Sequence, residues 1–265
     1  MSENLSITLC RVPGISNFPA GICDDGVCTS VNYPYYIAAT PITYNLWAEV
    51  YIWSAGYGFF FENKGEIGST GSGSKQQPVT SISWIDAVVG CNALTEYFNV
   101  RNNDTMSFAY KYNGDPVRDS RDANASAIDG LSMDAGANGF RLPTSMEWEL
   151  AAKYIDGINW CPGNHVSGTN ENYQNKDATT EAAWYEDNSA GTTHPVGLLK
   201  PNPLGIYDMS GNVWEWCFDK YGDFHRVARG GSCYDIAFVL QTGFAISCGP
   251  GYTHNSFGFR PVRTI

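Results

Sequence analysis

The chain has no apolar run approaching the roughly 20 residues that a bilayer-crossing helix needs. Basic residues are scarce: 16 lysines and arginines stand against 27 aspartates and glutamates, for a formal net charge of −11. A phosphate backbone or an anionic membrane requires concentrated positive charge, and no basic run supplies it, which argues against nucleic acid and anionic membranes as partners. There are only four histidines, and no second close Cys or His pair falls at the spacing of a zinc site. The start of the chain also lacks a secretory leader, a basic stretch followed by about 7–15 apolar residues, as a chain with its leader already cleaved would. The eight cysteines, at 10, 23, 28, 91, 161, 217, 233 and 248, are too unevenly spaced to define a disulfide framework, and a domain of this size does not need one. Cys23 and Cys28, flanking Asp24, Asp25 and Gly26, either close a small loop or are two thiols in a turn.

Turn-forming and aromatic residues are plentiful. Twenty-eight glycines, 13 prolines and 14% aromatics in 265 residues predict one loop-rich domain pinned by large rings. Residues 1–30 form a lead-in without usable period. VNYPYYIA at 31–38 reads as a strand that Pro34 places near an edge. Thr43 then caps a helix carrying Leu46, Trp47, Val50, Tyr51 and Trp53, and Ser83 caps a second helix running to about Phe98. Residues 101–138 are polar, with one short strand around Phe108, Tyr110 and Tyr112; their acids, Asp115, Asp119, Asp122, Asp129 and Asp134, do not follow a calcium-loop pattern and read as solvated turn residues. Thr144 and Glu147 form a capping box for a third helix, whose buried face is Trp148, Ala151, Ala152 and Ile155. Arg141, just before it, suits a structural salt bridge. From Trp160 to Val196 the chain reads as loop, with His194 as a hydrogen-bonded loop residue.

The chain is organised around PNPLGIYDMSGNVWEWCFD, residues 201–219, where large apolar groups alternate with residues that permit tight bends. Glu215 lies between two tryptophans, and a carboxylate there needs a cation or several donors. Bound calcium is one candidate; an arginine or loop amides are the other.

These motifs carry a resemblance. GNVWEW at 211–216, RVARGGS at 226–232, GFRLPTSMEWELAAK at 139–153 and GFRPVR at 258–263 stand in the order found in the formylglycine-generating-enzyme/sulfatase-modifying-factor family. The resemblance implies an α+β, C-type-lectin-like fold of the formylglycine-generating-enzyme type, loop-rich, with one domain over 31–265. It does not imply oxidase activity, because function resides in the site. Active members place two copper-binding cysteines at the third and eighth positions after the Ser of GGS, and here those positions are Asp235 and Leu240. A soft copper site without thiolates is chemically implausible.

Between residues 233 and 256 no helix or strand period is evident. Lys, Glu, Met and Trp are absent there and Gln occurs once, at 241; adenine mutagenesis of AAC codons excludes those five residue types. A variable segment closed by SFGFRPVR resembles the variable proteins of diversity-generating retroelements. That resemblance implies a ligand-binding surface, expected at Tyr234, Asp235, Ile236, Phe238, Val239, Phe244, Ala245, Ile246, Ser247, Tyr252, Thr253 and His254. Aromatics there give rigid contact area, and Asp235, Ser247 and Thr253 give adaptable hydrogen bonds. The leading expectation is therefore a non-enzymatic receptor, at the cell surface or extracellular, for varied macromolecular targets. It requires no cofactor, with calcium at Glu215 as a candidate. The alternatives are a copper-dependent formylglycine-generating oxidase and a calcium-stabilised lectin, the latter lacking EPN- or QPD-type sugar motifs.

Overall fold

Residues 5–22, 26–121 and 131–265 are described in a computed structural model. Two four-stranded sheets organise them. In the first, Leu9–Val12, Tyr35–Ala38, Val262–Thr264 and Phe140–Arg141 lie side by side in that order, all antiparallel. The two ends of the chain are thus paired through Tyr35–Ala38. In the second the order is Ala245–Cys248, His225–Arg229, Trp214–Tyr221 and Phe257–Gly258, with only the last pair parallel.

The lead-in is therefore built into the fold. Leu9–Val12 is an edge of the first sheet, and Ile15–Pro19 forms a hairpin with Cys28–Val31, burying Phe18 completely. The single strand expected at 31–38 is two, Cys28–Val31 and Tyr35–Ala38. Pro34 breaks them without putting the second at an edge: it precedes the strand, so its missing N–H leaves the ladder intact.

The helices start where their caps predict. Helix α1, Tyr44–Ser54, begins with the Leu46 N–H donating to Thr43 Oγ1, and α2, Trp84–Asn102, with a Ser83/Asp86 capping box. α2 runs one turn past Phe98 and stops at Asn103, whose left-handed conformation (φ 56°) ends it. α3, Ser145–Lys153, carries the Thr144/Glu147 box. Its buried face holds Trp148, Ala151 and Ala152, whereas Ile155 lies beyond its end, because Tyr154 is extended. α4, Lys176–Ala182, falls in the stretch read as loop; with only Thr179 and Ala182 buried, it has no apolar stripe to betray it. In the 101–138 region, Tyr110–Tyr112 is the centre of a small sheet with Asp115–Pro116 and Leu131–Met133. Asp119 and Asp134 are taken by Arg121 and Lys111; Asp122 and Asp129 lie outside the described residues.

One core gathers α1, α2, Trp214, Trp216, Phe257 and Phe259; a second lies between the first sheet and α3, around Tyr35, Ile37, Trp148, Met209 and Val262. Buried ion pairs join these parts. Arg141 meets Glu147 through two bonds of 2.7 and 2.6 Å, the structural bridge expected for it. Arg229 and Lys153 share Glu149, at 2.8 and 2.7 Å. Lys153 also donates to the Pro19 and Gly21 carbonyls, so the N-terminal hairpin is held to α3.

Candidate ligand-binding surface

Glu215, at the centre of the second sheet, is fully buried, and a guanidinium supplies its cation. Arg260 donates from Nε and Nη2, the shortest bond being 2.7 Å, and Trp148 Nε1 donates to Oε2 at 2.7 Å. Arg260 also bonds the Ala38 and Tyr207 carbonyls, tying three segments to one carboxylate. The calcium candidate at Glu215 is corrected accordingly: both oxygens already face donors, and a second cation would meet the arginine's positive charge. Among the described residues no group of three or more His, Cys, Asp or Glu side chains is arranged to hold a metal.

Above this floor the chain from Ser232 to Ser256 comes to the surface. Tyr234, Ile236, Phe238, Ala245, Tyr252, Thr253 and His254 are exposed; Asp235, Val239, Phe244, Ile246 and Ser247 are half-buried. Leu240, Gln241 and Thr242 within this run and Cys233 and Ser256 at its two ends are buried. The segment is thus anchored at intervals. Its rings make a continuous train: Phe238 edges onto Phe244 at 5.7 Å, Phe244 leans on Trp214, and Trp214 stacks with Phe257. Tyr252 meets Phe257 edge-on at 5.3 Å and lies nearly parallel to His254, which approaches Tyr234. The buried Trp214 and Phe257 form the base, and the other rings rise from it.

Two expectations change. Ala245–Cys248 is a strand, paired with His225–Arg229, and it does alternate: Phe244, Ile246 and Cys248 lean on the first core while Ala245 and Ser247 take the opposite face. Phe244 and Ile246 therefore do not project freely to solvent. The alternation was hidden because its inward partners are mixed in size and its outward ones are small. Asp235 also does more than meet solvent, since its carboxylate accepts from the Ser232 N–H and hydroxyl at 2.9 and 2.6 Å and shapes its own turn. Sequence reasoning missed Asn255, which donates to the Ser69 carbonyl and to the Tyr234 hydroxyl and so fixes one ring of the surface. An isolated asparagine gives no signal of such a role.

Gly243 adds a constraint inside the segment. Its N–H donates to the Gly163 carbonyl, and a Cβ there would fall 2.2 Å from Gly21 backbone atoms. Only glycine permits this approach. It seats the N-terminal hairpin beside Phe244 and Ala245.

The oxidase positions hold no thiol. Leu240 is buried with Val166, Ala182, Ala183 and Tyr185, and Asp235 is occupied as described. Burial pushes the Cys233 thiol up to about 12, and burial also raises Cys248. Neither sulfur is poised as a thiolate near neutral pH. His194 stacks on Trp184 at 3.7 Å, with Nε2 against the Ser189 carbonyl, the loop role expected for it.

The sulfatase-modifying factor enzyme 1-like domain matches residues 27–265. A Paenibacillus barcinonensis protein described as chaperone protein LppX is 31% identical over 222 residues, covering 74% of this chain and 68% of that protein. Among solved structures, CarF superposes with a TM-score of 0.79 at 27% identity, covering 98% of this chain and 99% of its own. Treponema denticola variable protein 1 superposes with a TM-score of 0.73 at 28% identity, covering 98% of this chain and 95% of its own. The fold is the C-type-lectin-like α+β fold that the motifs implied. With its buried motif residues, its surface segment and a match over nearly its whole length, the chain belongs to the sulfatase-modifying factor enzyme 1-like family.

Proposed function

We propose that this chain is a non-enzymatic binding protein whose surface between 234 and 254 is diversified by a retroelement to recognise varied macromolecular ligands. The observation that carries the reading is the division within one segment. All twelve candidate positions are exposed or half-buried, while Leu240, Gln241 and Thr242 among them and Cys233 and Ser256 on either side are buried and hold the backbone. Substitution at the exposed members, Tyr234, Ile236, Phe238, Ala245, Tyr252, Thr253 and His254, alters what a ligand meets and leaves the anchors in place. The likeness to the Treponema variable protein supports the same reading. The replacement of both copper-binding cysteines by Asp235 and Leu240 weighs against turnover. The reading calls for no cofactor and for a location at the cell surface or outside the cell, where varied macromolecular ligands would be met.

The test exchanges Tyr234, Ile236, Phe238, Tyr252, Thr253 and His254 together, in several combinations, and measures melting temperature and the set of captured partners. Variants that fold and bind different partners support the reading; variants that all keep one partner overturn it. Incubating the protein with copper and a sulfatase-type cysteine peptide tests the enzymatic alternative, since conversion of that cysteine would sink a binding-only role. A near-identical repeat of the coding segment for 233–256 beside a reverse-transcriptase gene would identify the source of diversity.

A further inference from the structure

We infer that the outer edge of Ala245–Cys248 is a docking strand for an extended polypeptide segment of the ligand, which adds there as a fifth strand of the sheet. The inference rests on the recognition role of 234–254 and names the chemistry that surface takes.

Ala245–Cys248 ends the second sheet. It pairs with His225–Arg229 on one side only, and no backbone hydrogen bond joins its other side to any described segment. The three remaining edges of the two main sheets are protected. Leu9–Val12 carries the exposed Arg11, and both Phe140–Arg141 and Phe257–Gly258 are buried. Natural sheets guard exposed edges with charge, proline or a cover. Ala245–Cys248, with the sequence AISC, has no charge and no proline. Edge amides and carbonyls at strand spacing match another extended backbone, and a sugar or a nucleobase does not repeat that pattern.

A groove of about 460 Å³ lies at the start of this strand, between Ala20, Gly21, Ile22 and Val27 on one wall and Gly243, Phe244 and Ala245 on the other. It is wide enough for an apolar side chain of the added strand. Its walls are fixed: the Gly21 N–H donates to Glu149 and the Gly21 carbonyl accepts from Lys153, while Arg229 Nη1 donates to the Phe244 carbonyl. A groove held in this way costs little ordering when filled. The strand and the segment around it are also nearly uncharged, since Asp235 is the only acid from 233 to 256 and is held by Ser232. An uncharged, apolar segment complements it best. Ladder bonds do not depend on side-chain identity, so the edge supplies affinity that survives diversification while the varied side chains around it select.

The test selects linear dodecapeptides from a display library on the intact chain, then measures amide hydrogen exchange with the best binder. The expected result is slowed exchange at 245–248. N-methylation at alternate peptide positions is expected to weaken binding about tenfold or more, since each blocks a ladder bond and crowds the edge. A245R, at an exposed position on the groove wall, should weaken binding similarly with unchanged melting. Binders that are indifferent to N-methylation and protect only 234–240 and 250–254 overturn the docking strand while leaving the recognition surface standing. Recovery of folded proteins but no linear peptide also overturns it. So does self-association that protects 245–248, which would make a second copy the occupant. Peptide binding unaffected by exchange of Tyr234, Tyr252 and His254 would remove the recognition surface as well.

Discussion

Trp214–Tyr221 and Ala245–Cys248 lie two strands apart in one sheet and follow opposite rules. The first begins with four buried residues, and its carboxylate, Glu215, is locked by Arg260 and Trp148. The second is half-exposed, carries no charge and has one open side. The two strands divide the fold between a fixed interior and an adaptable edge. Charge is concentrated in the interior, where Glu215, Glu149 and Glu147 each meet a buried cation, and is absent from the edge strand.

The sharpest way to break the comparison is R260A. Glu215 would remain buried without its cation, and a stability loss of about 3–5 kcal/mol is expected by denaturant unfolding. A loss below about 1 kcal/mol would show that the floor is not fixed by this pair. Trp214→Ala, which opens a cavity under the ring train, is expected to cost about 3–4 kcal/mol; near-normal melting would mean that the rings do not share one base.

A third measurement uses pH. Asp208 is buried and accepts the Gly197 N–H at 2.8 Å, and burial lifts its carboxyl to about 6. Because the folded value exceeds the unfolded one, the folded chain holds more protons between about pH 4 and 6. Stability therefore falls as pH rises through that window and levels off above it, a contribution of about 2–3 kcal/mol. D208N keeps a residue type tolerant of the left-handed backbone (φ 56°) and should flatten this dependence. An unchanged profile would place the titration elsewhere.

The smallest effects belong to the surface and sharpen its inner boundary. Phe244→Ala and Ile246→Ala should each cost about 1–2 kcal/mol, since both rest partly on the first core. Substitutions at the exposed Tyr234, Tyr252 and Thr253 should stay within about 0.5 kcal/mol. Equal losses across all five would erase the distinction between supported and free positions.

Much of this could be read along the chain. The caps at Thr43, Ser83 and Thr144 bond backbone groups three residues away, so a local pattern suffices to find them. The motif order carried the fold, and the absence of cysteine at 235 and 240 was visible at once. The strand Leu9–Val12 was not visible, because four residues of mixed burial show no period until Tyr35–Ala38 lies beside them. Helix α4 was missed for the same reason. Glu215 left two readings open because its partner lies 45 residues further on.

Where helices begin, which motifs recur and which thiols the chain lacks follow from residue identity and short spacing alone. That Arg260 answers Glu215, that Gly243 lets the N-terminal hairpin approach the surface segment, and that one sheet edge stays open emerge when the chain folds. Those outcomes depend on which groups meet after the chain has closed on itself. A buried charge takes its nearest opposite and a strand edge pairs with whatever lies alongside, and neither neighbour is fixed by position along the chain.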